Sequence, residues 1–327
     1  MPHAGEKKKI VIFGGGTGLA TLVRGLKEFH VEITAVVTVA DDGGSSGRLL
    51  DEYDIPPPGD IRNVMAAMSD VEPLIEKMFQ YRFASSEDLK GHSLGNLMLA
   101  ALTNITGDFA NAVEKMSLIL NLKGRVLPAA NQRITLHAEL EDGTIVTGES
   151  KIPVYGCRIR EVYLSPEEVE PLPETIEAIM AADLIVFGPG SLYTSIMPTI
   201  LVRAIRDAVL KCTARKVYIC NLVTQAGETA DYSASDHLKA LYHHAEASFI
   251  DTILLNNGDF TSLFAQYEYQ GPTWPVIHDL DVLEKMVPEV ALEDIATVND
   301  GHILHESKKV ASWLMAYMEN AIESNKT

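Results

Sequence analysis

The chain has 327 residues, 46% of them hydrophobic and 22% charged, a globular composition that can bury a sizeable core and excludes a disordered polyelectrolyte. Its formal net charge of -18 repels polyanions, and no local basic patch offsets it, so neither nucleic acid nor an anionic membrane is an expected partner. Cys157, Cys212 and Cys220 are odd in number and lack Cys-x-x-Cys spacing, which argues against a disulfide framework and a structural zinc site.

The opening tract MPHAGEKKKI leads from basic residues into an apolar run too short for a signal segment, and no later stretch reaches membrane-spanning length. A cytoplasmic protein is expected. Residues 9–13 (KIVIF) form a short β-branched run that stops at glycines, which predicts a first strand, with a helix over 17–29 and a second strand over 33–39. Both runs are apolar on successive residues, as in strands covered on both faces of a parallel sheet. Helical spacing over 94–103 and 109–120 predicts a helix pair beside the first half of the sheet. Residues 133–164 read differently: β-rich runs flank the Asp142-Gly143 pair, so a small β-hairpin insertion is expected there. Further strands follow at 184–187, 217–222 and 249–255, with a helix-length segment at 196–210 and a closing helix over 308–323. Strand and helix keep alternating. The expectation is one α/β domain over 1–327, a doubly wound, mostly parallel Rossmann-like sheet with helices on both faces.

Loops that follow the strands carry the candidate chemistry. Residues 14–18 (GGGTG) join the first strand to the first helix, where helix N-terminal amides and a backbone without Cβ atoms approach a pyrophosphate through Gly15, Gly16, Thr17 and Gly18. The pattern departs from G-x-G-x-x-G, since the third position is Leu19 counted from Gly14 and Thr21 counted from Gly16. A tight turn with close strand–helix packing explains the same glycines without a ligand. After the second strand comes ADDGGSSGR. Asp42 there fits a ribose, Ser45 and Ser46 a phosphate, and Arg48 its charge, while Asp41 and Asp42 together suit magnesium held through waters. An Asx turn into a solvated loop accounts for the same residues.

Asp60 stands where an N-cap is expected, ahead of an apolar helical run, and its first duty is read as capping. Arg62 then projects from the first turn as a bidentate phosphate ligand or a surface ion-pair partner. In GHSLGN, Ser93 is a plausible cap, Asn96 a polar group in the first turn, and His92 a structural hydrogen-bonder. The segment GPGSLYTS, with Gly188, Gly190 and Ser191, repeats the strand-to-helix loop at a second sheet position, so the two loops should share one cleft. Asn221, Thr224, Gly227, Glu228 and Thr229 follow the next strand; amide and carboxylate groups there can read a base or sugar, and turn formation explains much of the same segment. No Gly-x-Ser-x-Gly elbow, His-Glu-x-x-His or Walker lysine is present.

Taken together, GGGTGLATLVRGLK, TVADDGGSSGRL, PPGDIRN, GHSLGNL, RVLP, GPGSLYTSI and CNLVTQAGET resemble, in order and spacing, the bacterial YvcK family of gluconeogenesis factors. The resemblance runs from about residue 8 to past residue 300. That family shares a superfamily with CofD, the 2-phospho-L-lactate transferase of coenzyme F420 biosynthesis. The resemblance implies a regulator more than an enzyme: a protein that binds UDP-sugars, UDP-N-acetylglucosamine above all, and supports cell shape and envelope synthesis on gluconeogenic carbon sources. The transferase side implies instead magnesium near Asp41 and Asp42 and a deazaflavin acceptor. An NAD-binding protein is a third reading, on the fold-level analogy of the opening βαβ unit. A small-molecule nucleotide ligand, a protein partner in envelope synthesis and a homo-oligomer are expected; no catalytic residue is assigned.

Overall fold

The computed structural model describes residues 7–71, 73–85, 88–259, 273–299 and 301–324. The N-terminal tract read above for a signal segment lies, up to residue 6, outside them. Seven parallel strands form the central sheet in the order β10-β9-β8-β7-β1-β2-β3. They are β1 (Lys8–Gly14), β2 (Val31–Val37), β3 (Arg125–Pro128), β7 (Leu184–Phe187), β8 (Arg215–Ile219), β9 (Thr252–Asn256) and β10 (Glu289–Glu293). The central strands are apolar throughout because both faces are covered: Ile10, Ile12, Phe13, Leu184 to Phe187 and Ile253 to Leu255 are all fully buried. Each apolar side chain so enclosed is worth about 1.5–3 kcal/mol relative to exposure.

Chain order explains the layers. From β1 the chain moves outward through α1 (Gly16–Leu26) to β2 and, after α2 (Gly44–Tyr53), α3 (Gly59–Met68), α4 (Pro73–Gln80), α5 (Leu94–Thr106) and α6 (Phe109–Ile119), to β3. It then returns to β7 beside β1 and moves the opposite way through α8 (Met197–Ile200), α9 (Arg203–Lys211) and α10 (Ala234–Ala245). Right-handed crossovers running in opposite directions place their helices on opposite faces. Accordingly α1 packs on α3 and on the C-terminal helix Ser307–Ser324, while α7 (Pro173–Met180) packs on α9. The reversal between β1 and β7 is a topological switch point, where the C-terminal ends of adjacent strands part and leave a crevice.

The insertion is larger than a hairpin. β4 (Thr135–Leu140) and β5 (Ile145–Thr147) form the expected pair around Gly143, and β6 (Ile159–Ser165) adds on the other edge of β4, giving a three-stranded antiparallel sheet. A two-stranded β11 (Ala296–Asn299) and β12 (His302–His305) ribbon precedes the C-terminal helix. Several boundaries move relative to the sequence expectation. β2 ends two residues before the apolar run does, its pairing with β1 closing at Val37 opposite Gly14, with a last bond from the Thr38 amide to the Gly14 carbonyl at 3.0 Å. β8 begins at Arg215 and closes at Ile219, so Cys220 and Asn221 belong to the following loop. Among the described residues no helix is long and apolar enough to cross a membrane.

Candidate functional site

At the switch point the loops after β1 and β7 touch. A Cβ added at Gly18 would overlap the Pro189 carbonyl oxygen, with the carbonyl carbon at 2.8 Å and the Gly190 nitrogen at 3.0 Å, so only glycine lets the two loops close on each other. Beside this contact lies a cavity of about 330 Å³, lined by Gly15, Gly16, Thr17 and Gly18 on one wall and Gly190, Ser191 and Ser195 on the other. Asn221 and Gln225 from the loop after β8, and His305 from β12, close it. The start of α1 borders this space, and beyond the Gly16 amide, which Asp60 accepts, the next amides of its first turn have no partner inside the helix, an arrangement suited to an anion.

Beyond Ser191 the chain makes a π-helical turn, Leu192–Ile196, in which the Ser195 and Ile196 amides both donate to the Ser191 carbonyl, at 3.1 and 3.0 Å. Glu228 secures that turn: its carboxylate accepts the Tyr193 amide at 3.2 Å and the Thr194 hydroxyl at 3.0 Å. It is buried, and burial raises its proton affinity above the ordinary carboxylate range. Thr224, Gly227 and Thr229 shape the loop after β8 that carries Glu228. Thr224 exchanges hydrogen bonds with the backbone of Trp274, and the Thr229 hydroxyl accepts the Gln225 amide at 3.1 Å. Gly227, at φ +80°, presses on the backbone of Pro153 from the insertion.

The second phosphate-type loop packs elsewhere. Asp42 accepts the Ser150 amide at 2.8 Å and so fastens the 3₁₀ turn Glu149–Val154 of the insertion, while Asp41 accepts the Gly43 amide at 2.9 Å in an Asx turn. Ser45, Asn96 and His92 form a buried chain, with Asn96 donating to the Ser45 hydroxyl at 3.1 Å and the Ser45 hydroxyl 3.0 Å from His92 Nδ1. Ser46 is buried beside them. Arg62 is buried too, and its guanidinium is spent on Asn96 at 2.9 Å, Asn63 at 2.9 Å and Gln80. Arg48 turns outward to the Lys90 carbonyl at 2.6 Å. Gly188 lies below the cavity at the end of β7, at φ +81°. Of the residues singled out in the sequence, Gly15 to Gly18, Gly190, Ser191 and Asn221 therefore meet at one cavity; the others support it or stand apart.

Asp60 does not cap its helix. The N-cap position belongs to Pro58, which offers no side-chain acceptor, and Asp60 is the second helical residue, beneath the first glycine loop. Its carboxylate accepts the Gly16 amide, and a Cβ on Gly15 would come within 3.2 Å of its carboxyl carbon. Burial, then the neighbouring Asp41, push this carboxyl up to about 7. Glu149, brought in by the insertion, is pushed up to about 8 by burial and by Asp41, Asp60, Glu228 and Asp42. Neither Asp60 nor Glu149 was read as a site residue in the sequence, and neither was Gln225 or His305. Gln225 stands inside the TQAGET segment, but only the fold brings His305 to the cavity and Glu149 to the acids Asp41, Asp42, Asp60 and Glu228. The His305 ring donates from Nε2 to the Cys220 carbonyl at 3.2 Å, and burial lowers it to about 4, so it is neutral near pH 7.

The acids do not assemble a closed metal cage. Among the described residues no three histidine, cysteine or carboxylate side chains converge on a point that could hold a metal ion, and one oxygen of each of Asp41 and Asp42 already accepts a backbone amide. Magnesium keeping most of its waters would find one or two carboxylates here and no more.

Comparison with known proteins places this geometry. Residues 10–296 match the family model of 2-phospho-L-lactate transferase CofD. The chain is 59% identical over 312 residues to the gluconeogenesis factor of Bacillus subtilis, covering 95% of this chain and 98% of that protein. It is 52% identical over 310 residues to the gluconeogenesis factor of Halalkalibacterium halodurans, covering 95% and 96%. A crystal structure of a Bacillus halodurans protein superposes with a TM-score of 0.91 at 51% identity, over 95% of this chain and all of that one. The chain belongs to the CofD-like family and, within it, to the YvcK-type gluconeogenesis factors.

Proposed function

We propose that the switch-point cavity binds the diphosphate of a nucleotide sugar of the UDP-N-acetylglucosamine class, and that the protein is a ligand-responsive regulator linking gluconeogenic carbon supply to envelope synthesis and cell shape. The observation that carries this reading is the contact between the two glycine loops at Gly18 and Pro189, which sets helix amides and the Ser191 hydroxyl around one anion-sized space. A volume of about 330 Å³ is at the lower end of ligand pockets, about 300–1,000 Å³, and suits a diphosphate with one adjoining ring. The name gluconeogenesis factor, borne by relatives that match over nearly the full chain, supports the link to gluconeogenic carbon supply.

Thermal unfolding against UDP-N-acetylglucosamine, UDP-glucose, UDP and NAD, each with and without magnesium, tests the reading, because a ligand of the native state raises the apparent midpoint by mass action. The expected result is a higher midpoint with the UDP-sugars in the absence of magnesium. A response to NAD alone, or one that requires magnesium, would replace this reading with the dinucleotide or the transferase one.

A further inference from the structure

The π-helical turn Leu192–Ile196 sends its polar side chains to two sides. Tyr193 and Thr194 face the protein: the Tyr193 hydroxyl lies 2.6 Å from that of Tyr232, and Glu228 accepts the Thr194 hydroxyl at 3.0 Å. Ser191 and Ser195 are four residues apart, about one turn, so their side chains share a face, and both line the cavity. The Ser191 hydroxyl is already engaged, 2.8 Å from the Gln225 side-chain amide. The Ser195 hydroxyl has no hydrogen-bond partner among the described residues, and it is not sealed away: the shielded, unpartnered side-chain atoms there belong to Thr175, Tyr218, Asn221 and His237. Its oxygen faces the first glycine loop, 4.0 Å from where a Cβ on Gly16 would stand. The π-turn explains why this hydroxyl is free. A serine or threonine inside a helix commonly bonds back to the carbonyl four residues earlier, as Thr21 does to Thr17 at 2.9 Å. For Ser195 that carbonyl is Ser191, whose two lone pairs already accept the Ser195 and Ile196 amides at 3.1 and 3.0 Å.

We infer that the Ser195 hydroxyl donates to a phosphate oxygen of the ligand and fixes the diphosphate against the first glycine loop, with the π-turn aiming it. The inference rests on the nucleotide-diphosphate reading above and adds to it a donor that the leading residues of GPGSLYTS do not supply. The charge of the wall makes such a donor matter: neither lysine nor arginine lines the cavity among the described residues. An anion held there depends on backbone amides and hydroxyls, and a hydrogen bond to a charged oxygen is about twice as strong as one between neutral groups. Because the hydroxyl bonds to nothing in the empty protein, its contribution appears only when the ligand is present.

The test is calorimetric titration of the full chain with UDP-N-acetylglucosamine and with UDP, on the natural protein and on Ser195→Ala, together with urea unfolding of both proteins without ligand. Ser195→Ala removes one oxygen that holds nothing in the empty protein, so the unfolding midpoint stays where it is. Affinity falls about tenfold, and by the same factor for UDP and for UDP-N-acetylglucosamine, because the lost bond is to the diphosphate they share. Unchanged affinity overturns the inference and leaves the nucleotide-sugar reading standing. A loss confined to UDP-N-acetylglucosamine also overturns it, since the hydroxyl would then serve the sugar. A lowered unfolding midpoint overturns it as well, by giving the hydroxyl a structural duty. Failure of the natural protein to bind either ligand overturns both the inference and the reading beneath it.

Discussion

Replacing Asp60 by asparagine should make the protein more stable in alkali and leave it almost unchanged in acid. Asp60 lies beneath the Gly15–Gly16 turn, and burial together with Asp41 raises its carboxyl from 3.8 to about 7. Between these values the folded state keeps a proton that the unfolded chain has released. Stability therefore falls as pH rises through that window, and the full penalty is present above it. At ~1.4 kcal/mol per tenfold change in proton affinity, the distance from 3.8 to about 7 is worth at most about 4 kcal/mol. The side chain keeps some exposure, and solvent screening reduces the expected gain to about 1–3 kcal/mol at pH 8. Asparagine retains a carbonyl oxygen for the Gly16 amide, so the hydrogen bond survives. Urea unfolding of both proteins at pH 4, 5.5, 7 and 8 reads the effect. The two stability curves should meet near pH 4 and separate progressively until they run level above pH 7. Parallel curves, or a less stable variant at pH 8, would refute the burial and charge argument.

Three further outcomes follow from contacts at the site. Glu228→Ala strands the Tyr193 amide and the Thr194 hydroxyl without an acceptor and should cost about 2–4 kcal/mol in urea unfolding, while Glu228→Gln, which keeps one carbonyl oxygen, should cost less than half as much. Gly227→Ala adds a Cβ against Pro153, whose Cα would be 2.7 Å away, at a backbone φ of +80°; a loss of at least about 2 kcal/mol is expected, and one below about 0.5 kcal/mol would mean the insertion yields freely. Gly18→Ala forces the two glycine loops apart and should lower stability by about 1–3 kcal/mol and weaken UDP-N-acetylglucosamine binding at least tenfold by calorimetry. Unchanged affinity in that variant would remove the loop contact from the account.

What the sequence made legible was local chemistry. Glycine runs at the ends of apolar strands announce turns that only particular residues form, and β1 and β7 with their loops lie where KIVIF and LIVF place them. The Ser93 cap is equally local, since its hydroxyl and the Asn96 amide are three residues apart. The short strands β3 and β10 carry no such mark: β10 is EVALE, half exposed and acid at both ends, and only its pairing with β9 makes it a strand. The charged residues around Asp60 are hidden for a different reason. Asp60 reads as a cap because the helix start is nearby in sequence, yet its partner Gly16 is far along the chain. Glu149 reaches Asp60 and its neighbouring acids only because Asp42 and Gly227 hold the insertion against the sheet domain. Arg62, chosen for a free guanidinium, is instead saturated by Asn63, Gln80 and Asn96, two of them on other helices.

A crystal structure of the protein grown with UDP-N-acetylglucosamine tests the central claim most directly. The account predicts the diphosphate between the Gly15–Gly18 loop and the Ser191 hydroxyl. Ligand density at any other part of the surface, with the space between the two glycine loops unfilled, would contradict it.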